Sequence, residues 1–223
     1  MSLDLPSFPD VQRVVVTAIY GGIDVLTDPG LVPPNWQRFC FTDAAEHPAW
    51  TVVQTAGFSS DPCRSAKAYK ILIHRVFPNA LYSLWMDANF HINCDLEALV
   101  DRYLHRCDVA LHPHPERDCV YDEVLACMHY GKDDPATMSA QVIRYALDGF
   151  PRHAGLCAGG VILRRHTEST RLLNERWWQE ISRGSRRDQL SFNYVARTLD
   201  IPYAPFDANL WSGPLFTYRP HGT

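Results

Sequence analysis

Two short polar clusters in this sequence have the residue types and spacing needed to hold a hard cation and an anionic ligand. Asp87 and Asn89 lie two positions apart directly after the apolar run 81–86, and two glycines and Asp24 follow the apolar run 11–20. Mg²⁺ and Mn²⁺ favour oxygen ligands and keep coordination positions for phosphate oxygens. We therefore interpret Asp87 and Asn89 as candidate metal ligands, with a plain Asp-Asn turn as the alternative.

Strands and helices that alternate along the chain must position these clusters. The predicted strands are 11–20, 38–43, 50–53, 81–86, 108–111 and 159–164, and the predicted helices are 65–77, 95–104, 121–130, 136–147, 168–181 and 187–199. This order indicates an α/β fold, a single domain over 1–223 with a mostly parallel central sheet flanked by helices. We expect a core over about 11–205 and a tail over 206–223 that wraps the surface. Ligands of such sheets bind beyond the carboxyl ends of the strands, where both clusters are expected.

The composition excludes several kinds of partner. The 223 residues carry a net charge of −4, with a pI of about 6.2 and no basic stripe, so we expect neither nucleic acid nor an anionic membrane as partner. The N-terminus lacks a basic, apolar leader, and every apolar run is far shorter than the ~20 residues of a membrane span, which predicts a soluble protein. Seven cysteines without a C-x-x-C pair favour reduced thiols and a cytoplasmic location. The sequence leaves the oligomeric state open.

Eight segments, taken together and in this order, resemble a known protein family. They are VVVTAIYGGID, FCFTD, RSAKAYKI, SLWMDANFHI, HPERDCVYDE, GLCAGGVILRRH, WWQEI and RRDQLSFNYV, between about residues 14 and 195. The chain is similar to the plant and bacterial glycosyltransferase-like family that includes the mucilage-related and turgor-defect proteins of plants, within the GT-A superfamily. The resemblance implies a GT-A-like domain that moves a sugar from a nucleotide-sugar donor to a glycan or glycoconjugate, with Mn²⁺ or Mg²⁺ as cofactor.

The resemblance also assigns metal ligands. Asp87 and Asn89 occupy the place of the family's metal and diphosphate motif, in which most metal-dependent GT-A enzymes have a second Asp. An amide oxygen is a neutral and weaker ligand, so the metal site is implied to be weaker than in those enzymes. His221 is similar in position to the late metal-binding histidine of glycogenin-like enzymes, which makes it a third candidate ligand.

The segment RRDQLSF carries the candidate for the reacting centre. The resemblance places Asp188 beside the donor sugar and its reacting carbon, with Arg187 and Gln189 as donor contacts. Asp188 also stands near the start of the predicted helix 187–199, where an N-cap is the alternative interpretation.

A second polar group follows the predicted strand 108–111. By resemblance its members contact the donor sugar or the acceptor; they are His112, Arg117, Asp122 and Glu123. A zinc site is disfavoured, because His112 and His114 lack a third ligand at a telling spacing. Glu123 and Asp188 are the two candidates for a catalytic base if the reaction inverts the anomeric carbon.

The ends of the first two strands are expected to bind the base and ribose of the donor. Ala18, Tyr20 and Gly21 lie at the end of the strand 11–20, and Asp43 ends the next one, where its carboxylate could accept a hydrogen bond from the base or ribose. Ordinary turns are the alternative at these positions.

Three cations on the predicted helix 65–77 are candidates for binding the diphosphate. Arg64, Lys67 and Lys70 recur at positions i, i+3 and i+6, so we expect them on one helix side. Cations there would stabilise the diphosphate as a leaving group. A solvated helix face is the alternative.

The predicted reaction is displacement of a nucleoside diphosphate from the anomeric carbon by an acceptor hydroxyl. Two alternatives stay open. One is a metal-dependent hydrolase that uses the same carboxylates and His112, and the other is a binding module for carbohydrate or nucleotide that lacks turnover. The sequence does not decide the donor base, the sugar, the acceptor or the stereochemistry.

Overall fold

The computed structural model describes residues 3–220, and a seven-stranded sheet forms its centre. The strands along the chain are β1 Arg13–Ile19, β2 Gln37–Thr42, β3 Thr51–Gln54, β4 Tyr82–Met86, β5 Phe90–Ile92, β6 Val109–Pro113, β7 Cys157–Arg165, β8 Ala204–Pro205 and β9 Phe216–Tyr218. The order in the sheet is β3-β2-β1-β4-β7-β6-β8, and β5 and β9 form a separate antiparallel ribbon. Only β7 runs antiparallel to its neighbours β4 and β6 within the described sheet. The predicted mostly parallel sheet is therefore confirmed.

Helices cover the two faces of this sheet. They are α1 Pro62–Ile71, α2 Ile73–Val76, α3 Leu96–Tyr103, α4 Val120–His129, α5 Pro135–Leu147, α6 Glu168–Arg183 and α7 Phe192–Thr198. Side-chain oxygens that accept a hydrogen bond from a first-turn backbone N–H fix several helix starts, at Asp61, Asp95, Asp134 and Thr167. Within residues 3–220, no helix combines the length and the apolar character that crossing a membrane requires.

The core consists of apolar clusters on opposite faces of the sheet. Val14 and Val16 of β1 enter one cluster, which packs on residues of α1, α6 and α7, and Val15 enters the other, which packs on α3 and the C-terminal segment. Alternation along a strand directs successive side chains to opposite faces, which explains this division. A third cluster joins α4 to α5.

Three predicted elements differ in the structure. The helix 65–77 begins earlier, at Pro62, because Asp61 caps it and proline suits the first helical position; it also breaks at Leu72 into α1 and α2. The helix 187–199 is divided into a 3₁₀ turn, Asp188–Leu190, and α7. The tail does more than wrap the surface, because the aromatic side chains of Phe206 and Phe216 are buried in the core.

Candidate active site

Two lysines and two aspartates from three separate elements meet at one edge of the sheet. Lys67 and Lys70 come from α1, Asp87 follows β4, and Asp188 begins the 3₁₀ turn. Asp188 lies 2.9 Å from Nζ of Lys67 and 2.7 Å from Nζ of Lys70. Nζ of Lys70 also lies 3.4 Å from Oδ1 of Asp87. The arrangement brings together the lysines predicted to bind a diphosphate and the carboxylates predicted to bind metal and sugar.

Burial makes the charges of this cluster strongly interdependent. Burial alone would raise the pKa of Asp188, but the ammonium groups of Lys67 and Lys70 outweigh it and hold that pKa well below its usual range. Burial alone would lower the pKa of Lys67, but the carboxylates of Asp188 and Asp87 outweigh it and raise that pKa. For Lys70, burial dominates and lowers the pKa. Asp188 is therefore ionised at neutral pH and is a weak proton acceptor.

An irregularity in β7 leaves the space that this charged cluster occupies. Leu111 pairs with Ile162 but His112 pairs with Ala158, so the residues between these two partners bulge from the ladder. A methyl group on Gly159 would lie 2.6 Å from Oδ2 of Asp188 and 3.0 Å from Nζ of Lys70. A glycine is needed at 159 because any side chain would displace the ion pair.

Asp87 is oriented by its own strand and remains accessible. Nε1 of Trp85 donates a hydrogen bond of 2.8 Å to Oδ1 of Asp87, and the backbone N–H of Asp87 donates to the carbonyl of Gly160. The Asp87 side chain is 38% exposed, whereas that of Lys70 is 1% exposed. The carboxylate of Asp87 is thus held at one oxygen and open to a ligand.

Two cavities meet at this cluster. The larger, of about 350 Å³, is lined by Lys70, Asn89 and Asp188 among others. The smaller, of about 130 Å³, lies between the end of β1 and the start of α1 and is lined by Ala18 and Tyr20, among others. Lys67 and Asp87 line both cavities. A ligand of two parts can therefore place one part in each cavity and its link against these two residues.

The residues at the end of β4 fit a hard cation. Asp87 offers a carboxylate that faces the cavity, and the buried Asn89 lines the same cavity and adds an amide group. Oxygen donors of this kind suit Mg²⁺ or Mn²⁺ when a ligand's phosphates supply further oxygens. The carbonyl of Asn89 accepts a hydrogen bond from the N–H of Arg219, which fixes the turn. The third candidate, His221, lies outside the described residues.

Glu123 is placed in the larger cavity but is already engaged. Nε of Arg117 donates a 2.5 Å hydrogen bond to Oε2 of Glu123, and Nε2 of Gln189 donates to Oε1. Arg187 in turn donates to the side-chain oxygen of Gln189, at 2.7 Å. The cationic Arg117 and the amide of Gln189 thus occupy both carboxylate oxygens of Glu123.

Three predicted binding residues face elsewhere, and one of them is Asp122, which is bonded to Arg152 and lines neither cavity. His112 is 1% exposed, and its Nδ1 lies 3.0 Å from the carbonyl of Ala208, so it packs inside the core and lines neither cavity. The guanidinium of Arg64 donates to the carbonyls of Ile181 and Gly184 and joins α1 to the end of α6. Six residues of an α-helix leave Arg64 about 120° around the axis from Lys70. The spacing i, i+3, i+6 therefore does not keep Arg64 on the cavity side.

The end of β1 is shaped by a turn that Asp43 holds. The N–H of Gly21 donates a 2.9 Å hydrogen bond to Oδ2 of Asp43, and Gly21 has a positive φ of 67° that favours glycine. Tyr20 OH is 2.5 Å from Oγ1 of Thr55. Asp43 thus orders the turn beside the smaller cavity, while Ala18 and Tyr20 line that cavity directly.

A group of potential metal ligands that the sequence did not indicate lies outside both cavities. Cys119, Asp122 and His153 place one ligand atom each within 4.8 Å of one another. Asp122 is bonded to Arg152, and His153 to Asp118. These pairings account for the polar side chains of the group without an ion.

Trp85 and Gly159 also belong to the site, although they were not among the predicted site residues. The adjacent glycines at 159 and 160 inside a predicted strand were a signal, because glycine in a strand often marks a bulge or a close approach. Trp85 acts through the direction of its side chain, which reaches the carboxylate of Asp87, and spacing alone does not reveal that direction.

Comparisons with solved structures find glycosyltransferases. The structure is similar to the apo form of mouse xyloside xylosyltransferase 1, with a TM-score of 0.48 and 12% identity over 88% of this chain and 85% of that chain. It is also similar to the apo structure of the bifunctional glycosyltransferase WbbM, with a TM-score of 0.49 and 13% identity over 90% of this chain and 39% of that chain.

Two curated proteins from Arabidopsis thaliana are similar in sequence. The probable hexosyltransferase MUCI70 is 35% identical over 157 residues, and the alkaline ceramidase TOD1 is 27% identical over 161 residues; each match covers 66% of this chain. The matches span only 27% of MUCI70 and 35% of TOD1. The model of the TOD1/MUCI70 glycosyltransferase-like domain matches residues 47–214, which include Asp87 and Asp188. As its motifs predicted, the chain belongs to the TOD1/MUCI70 glycosyltransferase-like family.

Proposed function

We propose that this domain binds a nucleotide sugar and transfers its glycosyl group to a hydroxyl of a glycan or glycoconjugate. The observation that carries the proposal is the position of Lys67 and Asp87, which line both cavities at their junction. A nucleotide sugar has the matching division into a nucleoside, a charged diphosphate and a sugar. Membership of a glycosyltransferase-like family supports the same chemistry.

In this proposal the nucleoside occupies the smaller cavity and the sugar the larger one. Tyr20 and Ala18 would contact the nucleoside beside the turn that Gly21 and Asp43 form. The diphosphate would lie against Lys67, whose ammonium donates charged hydrogen bonds and stabilises the leaving group. Asp87 and Asn89 would hold Mn²⁺ or Mg²⁺, and such a cation supplies Lewis-acid stabilisation of the leaving diphosphate when bound.

Asp188 stabilises positive charge in this proposal and does not take a proton. Its carboxylate is ionised and held between Lys67 and Lys70, at the wall of the larger cavity. A fixed carboxylate there can accept hydrogen bonds from sugar hydroxyls and stabilise an oxocarbenium-like carbon. Glu123, held by Arg117 and Gln189, orders the wall of the same cavity.

One comparison favours a second candidate function, hydrolysis. The relative TOD1 is described as an alkaline ceramidase, an amide hydrolase. The same carboxylates, with a bound metal, would then activate a water molecule as the nucleophile. This candidate predicts that activity is independent of any nucleotide.

A panel of nucleotide sugars tests the proposal. We expect the purified protein, with Mn²⁺, to hydrolyse one class of donor slowly and to transfer its sugar to a mixture of oligosaccharides. Asp188→Asn should slow both activities at least ~100-fold, and Asp101→Asn, which changes an exposed carboxylate on α3, should leave both unchanged. Ceramide cleavage without nucleotide dependence would establish the hydrolase instead. Donor binding without any release of sugar would identify a binding module.

A further inference from the structure

An aromatic pair lines the larger cavity together with the charged cluster. The rings of Trp211 and Tyr218 lie 4.6 Å apart between centroids, with an angle of 65° between their planes. Both residues line the larger cavity, and neither lines the smaller one. Trp211 is 47% exposed, although it is among the largest apolar side chains of the protein.

The protein holds this pair in place from the core side. In the ribbon of β5 and β9, Tyr218 pairs with Phe90, and their ring centroids lie 5.3 Å apart. The N–H of Trp211 donates a 2.8 Å hydrogen bond to the side chain of Asn209, and the preceding Leu210 is buried. The backbone on both sides of the pair is therefore ordered, while the Trp211 ring remains accessible.

Packing alone does not explain the position of Trp211. Burial of a large aromatic side chain stabilises a protein in proportion to the apolar area removed from water, and about half of this side chain stays exposed. Trp178, which is partly buried on α6, instead contacts Phe58 and lines none of the described cavities. Of these two tryptophans, only Trp211 presents its ring to the candidate active site.

The cavity wall near this pair offers the chemistry that a sugar ring requires. The face of an aromatic ring carries partial negative charge and attracts the weakly positive C–H groups on the apolar face of a pyranose. The same cavity is also lined by polar side chains that can bond hydroxyl groups; they are Glu116, Arg117, Tyr130 and Lys132. One apolar wall combined with a few polar groups is typical of small-molecule sites.

We propose that Trp211 and Tyr218 form the acceptor subsite, in which the ring of a pyranoside stacks on Trp211. The inference rests on the proposed function, because it assigns the donor to the junction at Lys67 and Asp87. The pair lies on the cavity that the nucleoside does not occupy. A pyranoside stacked there presents a hydroxyl to the same space that the donor sugar enters.

Saturation-transfer NMR with methyl β-D-glucopyranoside and methyl β-D-xylopyranoside tests this subsite without any need for turnover. We expect saturation to pass from the protein to the C–H protons on one face of the pyranose ring. Trp211→Ala and Trp211→Leu should lose at least three quarters of this signal, and Trp211→Phe should retain most of it. The matched control Trp178→Ala should give the wild-type signal.

Several outcomes would overturn the assignment. It is wrong if the wild-type protein gives no saturation-transfer signal for either glycoside, if Trp211→Ala retains the signal, or if Trp178→Ala loses as much of it as Trp211→Ala does. Failure of the proposed glycosyl transfer is distinguishable, because Asp87→Ala should lose nucleotide binding and keep the saturation-transfer NMR signal of the glycosides. With a nucleotide-sugar donor that the protein uses as a substrate, Trp211→Ala should raise the KM for an oligosaccharide acceptor at least tenfold. The rate of donor hydrolysis by water should stay unchanged.

Discussion

Asp188 is the residue with the largest electrostatic consequences, because its buried carboxylate is shared by Lys67 and Lys70. An N-cap role does not describe it, since its side chain contacts these two lysines and no first-turn N–H. Asp188→Asn should therefore destabilise the protein by about 3–5 kcal/mol, the usual effect of removing one partner of a buried ion pair. We also expect a turnover at least ~100-fold slower, while affinity for nucleoside diphosphate is maintained because both lysines remain.

A double substitution measures how strongly Lys67 and Asp188 interact in the folded protein. Lys67→Met combined with Asp188→Asn should lose less stability than the two single changes added together, because the ammonium of Lys67, which Asp188→Asn alone leaves without its carboxylate, is removed as well. Urea denaturation of the four proteins measures this interaction. Additive losses would show that Lys67 and Asp188 act independently, and a normal kcat in Asp188→Asn would remove Asp188 from the reaction.

Two histidines, the buried His112 and the half-buried His166, should make stability depend on pH. Burial lowers the pKa of His112 to about 4 and, with the cationic Arg164 nearby, that of His166 to about 3. Below pH ~6.5 the unfolded chain protonates these groups while the folded protein does not. The unfolded state then binds more protons, so stability falls as the pH drops from about 6.5 to 4.

The expected loss from His112 alone is ~3 kcal/mol at pH 4, from 1.36 kcal/mol for each pKa unit. Urea denaturation between pH 7 and 4 measures this slope. His112→Gln should flatten it, and His105→Gln, which changes an exposed histidine, should not. An identical slope in His112→Gln would show that His112 does not titrate differently in the two states.

At the scale of the elements, the bulge in β7 decides whether the charged cluster can form. Gly159→Ala should cost about 1–3 kcal/mol of stability, because the added methyl group meets Oδ2 of Asp188 at 2.6 Å. It should also weaken binding of nucleoside diphosphate at least tenfold. The control is Gly149→Ala, where φ is +76° but no atom lies within 4 Å, so about 1 kcal/mol of strain and normal binding are expected. Calorimetry that finds normal binding in Gly159→Ala would contradict this explanation.

The same scale shows what local sequence could and could not predict. Apolar runs and the cap at Asp95 predicted the main strands and helices, because these signals are local. Asp188 and Lys67 lie 121 positions apart in the sequence, and only the motif RRDQLSF indicated that Asp188 belongs to the site. His112 was assigned to binding by resemblance and Arg64 by its charge and spacing, but the strand directs His112 into the core and the helix rotation directs Arg64 toward α6.

At the scale of the whole molecule, the C-terminal segment completes the site. It returns from the far edge of the sheet, pairs as β9 with β5 and joins the wall beside Asn89. The short strand β9 gave no clear signal in the sequence, since three residues carry little periodicity. The junction of Lys67 and Asp87 and the aromatic pair of Trp211 and Tyr218 are thus distant in the sequence and line one cavity.

Calorimetric titration of ADP, GDP and UDP in the presence of Mn²⁺ tests the junction of the two cavities most directly. The wild-type protein should bind at least one of them, and Asp87→Ala and Lys67→Ala should each weaken that binding at least tenfold. This factor corresponds to the loss of one charged hydrogen bond, about 1.5–3 kcal/mol. The exposed-site control Asp101→Ala should bind as the wild-type protein does. Equal affinity in wild-type protein, Asp87→Ala and Lys67→Ala would contradict a nucleotide-sugar site at this junction.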